Sequence, residues 1–306
     1  MILLAKIIGA VFLTYVLLLF IVPKKIFLYE GLRLPIWYFN MKKHKRGDYI
    51  QAKHRYGGHS RQYLLHCKPP NGKASKKHVI VFFHGGGWQF GRPEMFRANA
   101  TLLTGMGYHL FLPSHRRIPF FDIRKQKEDV ANAMKKIVEI MAAEGVSEKK
   151  ILLGGVSSGA NLAALLNYDR RLLKSVGLNR ELFAGLYFMA APLNLDGMWH
   201  SPPLLMLTGR RGSEKFREAS PINFLQENEA KPTLLVHPEK DGMVALEGTL
   251  VFHEKIKSLG GQNIEFKILK NMTHLDAASW AFEGHPSNDI LLGWIKAFEK
   301  EAGKTS

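Results

Sequence analysis

The stretch Ile151-Leu152-Leu153-Gly154-Gly155-Val156-Ser157-Ser158-Gly159-Ala160-Asn161-Leu162-Ala163 constrains this chain more than any other. An apolar run meets a turn of small residues and continues with a helix-like pattern, so the stretch reads as strand, elbow and helix with Ser157 at the corner. A Gly-x-Ser-x-Gly elbow forces its serine into a strained backbone conformation. Gly155 and Gly159 permit this because neither carries a Cβ to collide with the neighbouring strand or helix. The hydroxyl then stands exposed above the sheet, and the helix that follows directs free N–H groups and its positive dipole end at charge developing there. Alone, the pentapeptide also describes an ordinary strand-to-helix turn.

A second stretch, Val79-Ile80-Val81-Phe82-Phe83-His84-Gly85-Gly86-Gly87-Trp88, decides between these readings. A buried strand delivers a triple glycine. Carbonyl addition creates an oxyanion, and a loop without side chains lets backbone N–H donors approach it closely. A plain Gly-rich turn would explain flexibility, but not why His-Gly-Gly-Gly-Trp and Gly-x-Ser-x-Gly occur in this order, each after an apolar strand. The pair resembles the α/β-hydrolase fold, in particular the esterase/lipase branch related to hormone-sensitive lipase and its small carboxylesterase relatives. The likeness runs from about Tyr63 to the C-terminus.

The remaining pattern agrees with that architecture. Tyr63–His66 reads as extended, and residues 68–72 as a turn before the strand Val79–Phe83. A helix over Met95–Met106 leads to a strand over Tyr108–Pro113. A helix over Arg124–Ala143, apolar on one face through Val130, Met134, Ile137, Val138 and Met141, leads to the strand Ile151–Val156. Strands Leu186–Ala190, Thr233–His237 and Ile264–Leu269 follow, with helices near Leu246–Leu259 and over Ile290–Lys300. Alternation of this kind implies a mostly parallel sheet with helices on both faces.

Ligands on such a sheet sit outside the carboxyl ends of the strands, so catalytic partners should follow later strands directly. Asp241 comes just after Thr233–His237, and His274 just after Ile264–Leu269. The order Ser157, Asp241, His274 is the one this fold uses. The resemblance implies that His274 takes the proton of Ser157 and returns it to the leaving alcohol, while Asp241 holds the imidazole tautomer. Gly85, Gly86, Gly87 and the N–H of Ser158 would surround the oxyanion. Glu239 competes for the acid's role and His285 for the base's. His285-Pro286, however, resembles the entry turn of the last helix. Ala219-Ser220-Pro221-Ile222-Asn223 resembles the Ser-Pro segment that small esterases carry before the acid-bearing strand, and is expected to shape the pocket wall.

Three departures from the family pattern stand out: Val156 replaces a common acidic residue before the nucleophile, Ser158 a common alanine after it, and His115-Arg116 a frequent Tyr-Arg. The last bears on pocket contacts and hence on substrate.

Composition narrows the remaining classes. The chain has 306 residues, 46% hydrophobic and 23% charged, enough for one catalytic domain with a full core. The single cysteine, Cys67, excludes an internal disulfide framework, and the thirteen scattered histidines form no zinc-ligand spacing. No metal or other cofactor is expected. A net charge of +17 would suit nucleic acid. The basic residues, though, gather at Lys24, Lys25, Lys42, Lys43, Lys45, Arg46, Lys53 and Arg55, directly after an apolar stretch from Ile2 to Val22 that is long enough to span a bilayer. Anionic lipid headgroups are therefore the expected partner, and nucleic acid is not. Ile21-Val22-Pro23-Lys24-Lys25 lacks the small residues of a signal-peptidase site, which favours an uncleaved anchor.

The chain thus divides into an anchor (1–23), a basic amphipathic membrane-proximal segment (24–60) and a catalytic domain (61–306). Within the second, Ile26 to Phe39 is apolar enough to lie at the interface, to cover the active-site mouth, or to pack as a helix on the domain. The excess of Lys and Arg after the span places the catalytic domain in the cytoplasm. Membrane esterases of similar architecture put it across the membrane, where the sequon Asn271-Met272-Thr273 beside His274 would be open to a glycan. The expected function is a single-pass membrane serine hydrolase cleaving short-acyl carboxylic esters through an acyl-enzyme. The alternatives are amidase or formamidase use of the same site, and a catalytically silent hydrolase fold kept as a binding protein.

Overall fold

The computed structural model describes residues 2–44, 46–72 and 76–302, which leaves Lys45 outside the described residues. The elements are α1 (Ile2–Ile21), α2 (Phe27–Lys43), β1 (Ile50–Arg55), β2 (Tyr63–Lys68), β3 (His78–Phe83), α3 (Arg97–Gly105), β4 (Leu110–Pro113), α4 (Ile123–Ala143), β5 (Lys150–Val156), α5 (Ser158–Tyr168) and α6 (Arg170–Lys174), followed by β6 (Phe183–Met189), α7 (Pro202–Thr208), α8 (Glu214–Glu218), β7 (Thr233–Pro238), α9 (Leu246–Ser258), β8 (Ile264–Leu269), α10 (His274–Ala278) and α11 (Asn288–Ala302).

The eight strands form one sheet in the order β1-β2-β4-β3-β5-β6-β7-β8. The two pairings of β2 are antiparallel and all others parallel. The central strands read as continuous apolar runs, such as Val79-Ile80-Val81-Phe82-Phe83, because helices cover both faces and leave no solvent side to mark with polar residues. One core layer packs Val81, Leu153 and Phe188 against α4 and α5. The other packs Ile80, Leu152 and Leu234 against α3 and α11.

After β3 the chain moves outward to β4, then returns to place β5 on the other side of β3. The crevice between the carboxyl ends of β3 and β5 is therefore the topological switch point, where an open α/β sheet receives its ligand. The glycine loop follows β3 and the serine elbow follows β5, so connectivity alone brings the two motifs together.

Two expectations are corrected. The sheet begins at Ile50 rather than after residue 60: β1, with its polar pattern Ile-Gln-Ala-Lys-His-Arg, pairs along its whole length with β2. Its outer edge is exposed, so it lacks the apolar run that marks a central strand. The helix expected over Met95–Met106 is also divided, opening as a short 3-10 turn, Pro93–Phe96, before α3. Proline at the start of that turn sets its entry.

Candidate active site

Ser157 has φ 54° and ψ −130°, a conformation that costs a non-glycine residue about 1–3 kcal/mol. The surroundings hold it there. Its N–H donates to Met189 O at 2.8 Å, and its carbonyl accepts the N–H of Asn161 at 3.1 Å. A Cβ on Gly155 would lie 2.4 Å from Phe83 O, and one on Gly159 2.2 Å from the same atom. Both flanking positions thus exclude any side chain, and β3 presses directly against the elbow.

His274 Nε2 lies 2.8 Å from Ser157 Oγ, and its Nδ1 lies 2.7 Å from Asp241 Oδ2. The carboxylate partner identifies the tautomer: Nδ1–H donates to Asp241, leaving Nε2 to accept the serine proton. Asp241 Oδ1 accepts the N–H groups of Met243 at 2.8 Å and Val244 at 2.7 Å, which fixes the carboxylate. Burial disfavours the charged form of His274, but Asp241 outweighs it by charge and hydrogen bond, and the net direction is upward. Burial likewise opposes ionisation of Asp241, but the charge and hydrogen bond of His274, together with further interactions including the Val244 N–H, bring the carboxyl down. His237 stands 3.5 Å from Asp241 but donates from Nε2 to Val244 O, accepts the Thr249 hydroxyl at Nδ1, and is pushed down by burial. It is a neutral wall of the acid's pocket.

The glycine loop folds back on itself. Gly86 O accepts the N–H groups of Gln89 and Phe90, while Gly86 and Gly87 take φ 136° and 59°. Gly85 is the member nearest the serine, for a Cβ there would lie 3.3 Å from Ser157 Cβ. Ser158 opens α5, where leading N–H groups have no acceptor within the helix. Trp88 locks this arrangement, its indole N–H donating to Asn161 Oδ1 at 3.3 Å. The amide of Asn161 in turn donates to Pro192 O and Ala219 O. The Ser-Pro segment joins the same scaffold, since Ser220 Oγ accepts the N–H of Leu195.

The rival candidates lie elsewhere. Glu239 accepts the N–H of Asn271 at 2.9 Å and pairs with Lys270 at the surface. His285 turns toward Ser287 and Asp276. His115 and Arg116 are not pocket contacts: His115 is buried, stacked on His84 with ring centroids 5.2 Å apart, and pushed down to about 4 by that burial. Arg116 forks onto Asp129. His115 thus backs the residue that leads into the glycine loop, while Arg116 ties its strand end to α4. Among the described residues, no group of three or more His, Cys, Asp or Glu side chains is disposed to hold a metal.

Sequence reasoning passed over Glu30. It lies on α2, is fully buried, and accepts the backbone N–H of His274 at 2.6 Å.

A family model for the alpha/beta hydrolase fold matches residues 80–275, and the chain belongs to this family. Its sequence relatives include a probable isoprenylcysteine alpha-carbonyl methylesterase of Arabidopsis thaliana, 23% identical over 238 residues that cover 72% of this chain and 56% of the relative. A second isoprenylcysteine alpha-carbonyl methylesterase from that plant is also 23% identical, over 72% of this chain and 55% of its own. The chain spans about half the length of the curated relatives it matches. Among solved structures, esterase B from Lactobacillus rhamnosis superposes with a TM-score of 0.72 at 16% identity, covering 90% of this chain and 96% of that one. Thermogutta terrifontis esterase 2, phosphoramylated by tabun, gives 0.67 at 22% identity, covering 85% and 97%. By family the chain is an α/β hydrolase, and the relatives and neighbours it resembles carry the names of esterases.

Proposed function

We propose that the chain hydrolyses carboxylic esters through an acyl-enzyme on Ser157, with His274 as general base and acid and Asp241 as its orienting partner. The observation that carries this reading is the continuous hydrogen-bonded series Ser157–His274–Asp241, at 2.8 and 2.7 Å, located at the topological switch point. Ser157 Oγ attacks the ester carbonyl as its proton passes to His274 Nε2, and charge gathers on the carbonyl oxygen. The glycine loop at Gly85, Gly86 and Gly87 and the N–H of Ser158 receive that oxygen; losing one such donor typically costs about 2.7–4 kcal/mol of barrier. Collapse expels the alcohol, which takes its proton from His274. Water activated by the same imidazole then frees the acid.

A small acyl group suits the site, because the insertion between β6 and β7 holds only the short helices α7 and α8 from which to build a lid. A second reading is favoured by the relatives' names together with α1: a small alcohol, such as methanol, esterified to a lipid-bearing acid drawn from a membrane. Residues 3–21 form a helix long and apolar enough to cross a bilayer. We read it as an anchor, with the residues between it and β1 as the membrane-proximal segment and the catalytic domain, β1 included, cytoplasmic.

A panel of aryl acetates, aryl palmitates, formamides and methyl esters of long-chain acids, assayed with the full-length protein and its Ser157→Ala variant, tests the proposal. Ester cleavage that Ser157→Ala abolishes supports it. Cleavage surviving in the variant contradicts it, and exclusive turnover of formamides would make the site an amidase.

A further inference from the structure

Glu30 is a buried carboxylate that the triad chemistry does not itself require. It sits on α2, more than two hundred residues from the base in sequence, yet its Oε1 accepts the N–H of His274 at 2.6 Å and its Oε2 the N–H of Leu275 at 3.4 Å. The hydroxyl of Thr273 lies 3.3 Å from the same Oε2. One turn along α2, Arg33 forks onto Asp276 at 2.8 and 3.1 Å and reaches Thr273 Oγ1 as well. Asp276 closes the capping box of α10 by accepting the Thr273 N–H at 2.8 Å. Every residue from Thr273 to Asp276 is therefore gripped by α2 or by a neighbour that α2 grips. The same segment touches the acid's loop. Gly242, next to Asp241, lies against the Ile26 backbone so closely that a Cβ would come within 2.5 Å of Ile26 O.

We propose that Glu30 is a positioning residue for the general base. By accepting the backbone N–H groups of His274 and Leu275, it fixes the peptide that carries the imidazole. The membrane-proximal helix is thereby a working part of the site. This rests on the reading of His274 as the base.

Two consequences follow from the chemistry. A backbone N–H buried with no acceptor is unfavourable, so removing the carboxylate drives the loop to relax and moves Nε2 off the serine. Displacement of a reacting group by an ångström can cost about a hundredfold in rate. The negative charge also acts through space on the imidazole. The titratable groups that act on His274 are Asp241 and His237 from β7 and its loop and Glu30 from α2, while Arg33 from α2, Asp276 from α10 and His285 beyond it pair with one another beside that loop. Of these, Asp241 and then Glu30 favour the charged imidazole, against burial. Burial raises Glu30 itself, an effect that its interactions with His274 oppose.

The test is the pH profile of kcat/KM for a soluble aryl acetate, measured on full-length wild type, Glu30→Gln and Glu30→Asp, with melting temperatures alongside. Glu30→Gln keeps an acceptor of the same length but no charge. Its acid limb should move to lower pH and its kcat should fall about tenfold. Glu30→Asp keeps the charge and shortens the reach by one methylene, so its acid limb should stay in place while kcat falls. An unmoved limb in folded Glu30→Gln, or a loss of turnover in it that only tracks melting temperature, would overturn the proposal. If Glu30→Gln does not fold, a wild-type kcat in Glu30→Asp would do the same. Ser157→Ala and His274→Ala separate the two claims: were they active, the base assignment itself would fall, whereas their inactivity beside neutral Glu30 variants removes only Glu30.

Discussion

At the scale of single residues, two carboxylates follow β7, and geometry separates them. Asp241 is buried, bonded to His274 and held by two backbone N–H groups, whereas Glu239 serves the surface turn at Asn271. Asp241→Asn should lower kcat/KM for an aryl acetate about a thousandfold or more, because the amide favours the wrong imidazole tautomer. Glu239→Gln should change it little, and a dead Glu239 variant beside an active Asp241 one would reverse the assignment. The same assay has a pH signature. In the proposed mechanism His274 must be neutral to accept the serine proton, and Asp241 pushes its titration above the ordinary imidazole value against burial, so activity should fall on acidification from a point above that value. Ser157 and the loop glycines were legible in the sequence because backbone strain and close approach restrict which residue types can stand there. Asp241 and His274 were legible only by their place after strands. Glu30 was not: a lone glutamate in an apolar helix carries no mark of the loop it will meet 244 residues later.

Among the elements, α1 and α2 link the site to the expected membrane. They are joined where the Tyr15 hydroxyl donates to Leu32 O at 2.6 Å. The face of α2 toward the domain carries Glu30 and Arg33, while Phe27, Leu28, Leu34 and Phe39 stay exposed. Of the three roles the sequence allowed this segment, packing on the domain is present, and the exposed apolar face leaves room for the interfacial one. In the sequence Lys24, Lys25, Arg33, Lys42, Lys43, Lys45 and Arg46 follow the span, against a single Lys6 near its amino end. In sealed vesicles, protease added from the cytoplasmic side should therefore digest the catalytic domain. Survival of the domain would invert the orientation. The strands β3, β5, β6 and β7 were legible as apolar runs. β1 was not, since an edge strand with alternating polar residues resembles a loop when read alone.

For the whole molecule, the fold explains why distant motifs form one site. The reversal of strand order between β3 and β5 brings the glycine loop to the serine elbow, and β7 and β8, which lie beyond β6, bring the candidate acid and then the candidate base to the same edge. This assembly was legible from the order of motifs, because a parallel sheet puts every strand's carboxyl end on one side. How large a lid α7 and α8 would build was not, since their packing depends on contacts between segments rather than on local pattern. The exposed Trp199, Leu205 and Met206 lie in that insertion, and Phe90 and Phe120 lie in the loops after β3 and β4. These loops leave the same edge as the elbow, so large apolar side chains stand at the substrate's side of the sheet. The central claim is that this edge activates one serine, and a fluorophosphonate probe tests it most directly. Mass mapping of the labelled full-length protein should find the adduct on Ser157 alone, with none on Ser157→Ala and slow labelling of His274→Ala. Undiminished labelling of Ser157→Ala, or an adduct on another residue of the wild type, would contradict the account.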